Sequence, residues 1–78
     1  MSERNRIYWQ CRRGMLELDT LLQSFFQAQY DSLTQDEQAA FKILLSCSDE
    51  ILLEYLLGRM RPIDSTIAYV VDKIRRTA

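Results

Sequence analysis

Gly14, Gly58 and Pro62 are the only glycines and the only proline in this 78-residue chain. Tight and left-handed turns draw heavily on those two residue types, so the many corners of a β-sandwich or barrel have little to be built from. Apolar residues instead recur at three- and four-residue intervals, the period of helices packed on one face. Ile7, Tyr8 and Cys11 share one arc of a first helix over 4–12, with Trp9 and Arg13 projecting from its other side. In the longest amphipathic stretch, 15–30, Met15, Leu18, Leu21, Leu22, Phe25 and Phe26 fall on one face, opposite Thr20, Gln23, Ser24 and Gln27. Leu16 falls off that stripe and is expected in solvent.

The remaining boundaries follow from capping chemistry. After a connector at 31–33, Thr34 and Glu37 have the spacing of a capping box, in which each side chain satisfies an amide at the other's position. That third helix runs through Phe41, Leu44 and Leu45 to Cys47. Ser48 or Asp49 then caps a fourth helix over 50–57, with Gly58 as a left-handed stop. Pro62 keeps the chain extended at Arg61. Asp64 opens a last helix in which Ile67, Val70, Val71 and Ile74 make one stripe. The expectation is an all-α, compact five-helix bundle forming a single domain over 1–78.

Composition removes whole classes of chemistry. Ten Lys and Arg against eleven Asp and Glu give a net charge of −1, poor electrostatics for phosphate-backbone contact, so no nucleic-acid partner is expected. The chain has no histidine, which excludes His-dependent nucleophiles, His general bases and His zinc sites. Cys11 and Cys47 are too few and too far apart for a disulfide scaffold and read as reduced, buried thiols. No run of 18 apolar residues occurs and residues 1–8 are charged, so neither membrane insertion nor a signal segment is expected.

The stretch from Arg12 to Asp19 stands out. Two arginines close one helix, Gly14 breaks the chain, and Glu17 and Asp19 open the next. Two readings fit. In the first, cations at a helix C-terminus and anions at an N-terminus complement the backbone dipoles, and Gly14 is the residue that takes a positive φ. In the second, Gly14 admits the close approach of a partner's backbone, flanked by Arg13 and Glu17. Trp9, Arg12 and Leu16 then complete the mixed aromatic, arginine and apolar surface of a protein-binding hot spot.

The run Ile7-Tyr8-Trp9-Gln10-Cys11-Arg12-Arg13-Gly14-Met15-Leu16-Glu17-Leu18-Asp19 resembles the signature of the small succinate dehydrogenase FAD assembly factors. Their R-G-x-x-E hallmark is matched by Arg13, Gly14 and Glu17. Similarity continues through Phe25-Phe26, Tyr30, Asp31, Leu33, Leu44-Leu45, Cys47, Asp49, Leu52, Leu56 and Pro62. Tyr55 stands where members often carry Trp, which leaves the signature intact. The resemblance implies a five-helix bundle, bacterial and cytoplasmic, without the targeting extension of mitochondrial relatives. It also implies a maturation factor and not an enzyme, which promotes covalent attachment of FAD to the flavoprotein subunit of succinate dehydrogenase. The homologous subunit of fumarate reductase is the second expected client. The histidine that bonds the flavin belongs to that partner. With no G-x-G-x-x-G and no P-loop here, tight FAD binding by this chain is not expected. Arg13, Gly14, Glu17, Trp9, Arg12, Leu16 and Asp19 are the expected partner-binding residues. A second role that the resemblance admits is an antitoxin acting by protein–protein contact.

Overall fold

Helix starts need side chains that accept from otherwise free amides, and four of the five helices among the described residues have one. In the computed structural model, which describes residues 2–77, α1 spans Glu3–Gln10, α2 Leu16–Gln29, α3 Gln35–Leu45, α4 Asp49–Leu56 and α5 Ser65–Thr77. No strand occurs among the described residues. The Ser2 hydroxyl accepts from the Asn5 amide at 3.2 Å, and the Ser48 hydroxyl from that of Ile51 at 3.3 Å. The Asp64 carboxylate accepts from Thr66 and Ile67 at 2.9 and 3.0 Å. Thr34 and Glu37 make the expected reciprocal capping box, at 3.1 and 3.0 Å. Only α2 starts without a side-chain cap, on an extended Met15.

The α4 terminus follows the left-handed stop. Gly58 has φ +79°; its amide reaches the Tyr55 carbonyl at 3.1 Å, and the Arg59 amide reaches that of Glu54 at 2.9 Å. This is the paired bonding of a Schellman cap.

The helices close around an aromatic centre. Phe25, Phe26 and Phe41 are fully buried. Phe26 lies 4.7 Å from the Tyr30 ring, and Phe25 lies 5.5 Å from Phe41 between ring centres. Each such side chain contributes on the order of 1.5–3 kcal/mol by leaving water. Val70, Val71 and Ile74 close the core from α5, which packs on α2, α3 and α4. The radius of gyration, 11.4 Å, matches the ~11.5 Å expected of a compact chain of this length. No described helix is long and apolar enough to cross a membrane.

Four details differ from the sequence reading. α1 stops at Gln10, because the Cys11 and Arg12 amides bond back three residues, to Tyr8 and Trp9, and tighten the chain before the break. Tyr30 leaves α2 for a short 3-10 turn, Tyr30–Ser32, and α3 ends at Leu45. Cys47 is only half-buried, since it lies in the α3–α4 junction and not on a core face.

Cys11 is fully buried, its thiol donating to the Ile7 carbonyl at 3.4 Å, and burial pushes its pKa up to about 12. A thiol reagent at neutral pH should therefore modify Cys47 rapidly and Cys11 only as the protein unfolds. The raised pKa gives a stability contribution present below the unfolded thiol's pKa and lost as pH rises toward about 12. Wild type should consequently lose melting temperature more steeply than Cys11→Ala between pH 9 and 10.5, roughly the window opened by an unfolded thiol.

Candidate functional site

The break before α2 is held by a side chain from inside the helix. The Asp19 carboxylate folds back to accept from the Arg13 amide through one oxygen and from the Gly14 amide, at 3.2 Å, through the other. The Asp19 amide in turn donates to the Met15 carbonyl at 2.8 Å. A single carboxylate thus fixes the break between α1 and α2, and its charge sits favourably at a helix N-terminus. Gly14 takes φ +78°, and no atom lies within 4 Å of where a Cβ would project. The position therefore demands glycine for its backbone while its Cβ direction is open. Gly14→Ala is expected to cost about 1 kcal/mol from strain alone, a fall of about 4–8 °C in melting temperature by circular dichroism.

Arg13 turns inward. Its guanidinium donates to the carbonyls of Gln10 at 3.1 Å, Cys47 at 3.1 Å and Leu45, and lies 3.5 Å from an Asp49 carboxylate oxygen. Leu45 ends α3, Cys47 lies in the α3–α4 junction and Asp49 begins α4, so one side chain braces the α1–α2 break against that junction. The planar fork of Arg suits several fixed carbonyls at once, which an ammonium does not. The side chain is only 16% exposed.

Arg13 therefore does not stand at the surface beside Glu17 as a flank of Gly14. Arg13 pairs with Asp49 and the backbone instead, because the carbonyls left free where α3 ends lie within its reach and need donors. Glu17 points to solvent and makes no ion pair or hydrogen bond among the described residues.

The other expected residues form an outer layer over this brace. Trp9 is 52% exposed. Its ring lies edge-on to Tyr8 at 6.0 Å, and the Arg12 guanidinium sits 5.7 Å from its centre. Leu16 is 82% exposed, and Gly14 and Glu17 are exposed beside it. Two layers result: Arg13 and Asp19 hold the break rigid from within, while Trp9, Arg12, Gly14, Leu16 and Glu17 face outward. Such a surface, pre-organised by the partly buried hydrogen bonds of Arg13 and Asp19, loses little conformational freedom when something docks on it.

Sequence reasoning missed Asp49 and the Leu45 and Cys47 carbonyls as partners of Arg13, since they lie more than thirty residues away along the chain. It also gave no role to the α2 surface beside Leu16, where Thr20, Leu21 and Ser24 border a shallow groove. Leu16 and Ser24 are two helical turns apart, and that spacing alone marks them as neighbours on one face.

Fold and edge together define a class: a small helical protein whose distinctive residues lie on an exposed, braced edge and not in a cleft. The comparisons narrow it. A family model described as "Flavinator of succinate dehydrogenase" matches residues 5–78. A FAD assembly factor SdhE from Coxiella burnetii is 42% identical over 71 residues, covering 91% of this chain and 87% of that protein. A FAD assembly factor SdhE from Aliivibrio fischeri is 44% identical over 73 residues, covering 94% of this chain and 85% of that protein. One from Mannheimia succiniciproducens is 44% identical over 69 residues, covering 88% and 80%. The chain belongs to the succinate dehydrogenase flavinator family.

Proposed function

We propose that this protein binds the flavoprotein subunit of succinate dehydrogenase and promotes covalent attachment of FAD to it. The observation that carries the reading is the exposed edge formed by Trp9, Arg12, Gly14, Leu16 and Glu17, held by Arg13 and Asp19, in a chain of the flavinator family. Its role is selective binding: holding the client in the conformation in which the flavin bond forms raises that conformation's population by the difference in affinity. No catalytic group is required of this chain, and the flavin is cargo that belongs to the client. The flavoprotein subunit of fumarate reductase is a second client on the same surface. This reading places the protein in the cytoplasm of a bacterium.

Deleting the gene should lower covalent flavin on the succinate dehydrogenase subunit, read as in-gel flavin fluorescence. Unchanged fluorescence would favour an antitoxin role acting by protein contact. Pure protein should elute without flavin absorbance; near-stoichiometric flavin would show that it holds the cofactor itself.

A further inference from the structure

The groove beside this edge has a charge pattern of its own. Leu16, Thr20 and Ser24 follow one another at four-residue spacing along the outer side of α2, and with Leu21 and Thr77 they line a shallow, mainly apolar groove of about 650 Å³. Glu17 stands in the same lining. Leu21 also borders a neighbouring concavity of about 580 Å³, whose walls include Arg75 and Arg76. Both depressions border Leu21 and so follow one another as a seam along α2 and α5. Glu17 lies in the first part, apolar surface between, and Arg75 and Arg76 in the second, where Asp72 also lines the wall but is already paired with Arg61.

The charges on this seam are available. Neither Glu17 nor Arg75 nor Arg76 makes an ion pair among the described residues. Arg75 has a built position: a Cβ on Gly58 would lie 2.7 Å from its Nη2, so the glycine that ends α4 also leaves the space which this guanidinium occupies. An 82% exposed Leu16 at the edge of the apolar part is costly to leave in water and gains when covered.

We propose that this seam docks a segment of the client flavoprotein, which presents a basic residue to Glu17, an apolar side chain to Leu16 and Leu21, and an acidic residue to Arg75 and Arg76. The inference rests on the proposed function and extends it, because Glu17 belongs both to the edge and to the groove. That continuity favours the client over a second copy of this chain. Apolar burial at the centre supplies affinity, while the opposed charges at the two ends set direction and register.

The test uses the full chain and the purified, flavin-free flavoprotein subunit. Thr20 and Ser24 are exposed, so Thr20→Lys and Ser24→Arg fill the groove without touching the core. Each should keep the wild-type melting temperature and bind the client roughly tenfold or more weakly by titration calorimetry, the loss typical of blocking one anchor contact. Arg76→Glu should slow association several-fold and flatten its dependence on salt. A photo-crosslinker at position 20 should mark a client segment with the basic–apolar–acidic order. If wild type binds and both groove variants bind equally well, the seam is not the docking site, although the proposed function stands. Crosslinks to a second copy of this chain would also overturn the inference. If wild type itself does not bind, the function and the seam fall together.

Discussion

Arg13→Ala is expected to lower the melting temperature by about 10–20 °C, the equivalent of roughly 2–3 kcal/mol in a domain of this size. The magnitude follows from what the side chain leaves behind. The carbonyls of Leu45, Cys47 and Gln10 lose a charged donor, and the first two lie where helix ends already leave acceptors unsatisfied. An acceptor stranded in a partly buried site costs about 1–3 kcal/mol, whereas the pair with the more exposed Asp49 adds little. Arg13→Lys should recover only part of the loss, because one ammonium cannot span three fixed carbonyls and a carboxylate. Thermal melts followed at 222 nm check both variants. An Arg13→Ala protein melting within about 2 °C of wild type would show that the brace carries no stability.

Trp9→Ala and Glu17→Ala are expected to behave in the opposite way, leaving the fold intact and weakening client flavinylation about tenfold or more, as loss of hot-spot residues does. Glu17 has no partner within the fold to lose. Trp9 gives up an edge contact with Tyr8 and its stacking under Arg12, both at half-exposed positions. Such surface changes move stability by about 1 kcal/mol or less. Covalent flavin per client molecule, measured beside each melting curve, separates the two classes. Arg13→Ala then needs care, since its activity must be expressed per folded molecule, while Glu17→Ala does not.

The contrast between Arg13 and Glu17 also marks how far the sequence is legible. Helix positions are readable because their determinants are local: the Thr34–Glu37 capping box, the Asp64 cap, the Gly58 stop and the α5 stripe each lie within a few residues of what they control. The positive φ of Gly14 is readable for the same reason. The inward turn of Arg13 is not, since its acceptors are presented by a helix junction that exists only after α3 and α4 have packed. Asp19 illustrates a subtler limit. An acidic residue near a helix start is legible as a favourable dipole contact, but its grip on the Arg13 and Gly14 amides depends on the break folding back over the first turn of α2. The motif that looks like one surface in the sequence is therefore split in space, with Arg13 and Asp19 building the platform and Trp9, Gly14, Leu16 and Glu17 standing on it.

The most direct measurement reconstitutes the reaction from purified parts: flavin-free succinate dehydrogenase flavoprotein subunit and FAD, incubated with wild-type protein, with Glu17→Ala, or alone. Covalent flavin is read after denaturing electrophoresis. The proposed function predicts a clear increase in flavin bound with wild type, and a level near that of the subunit alone with Glu17→Ala. Equal covalent flavin in all three mixtures would contradict it.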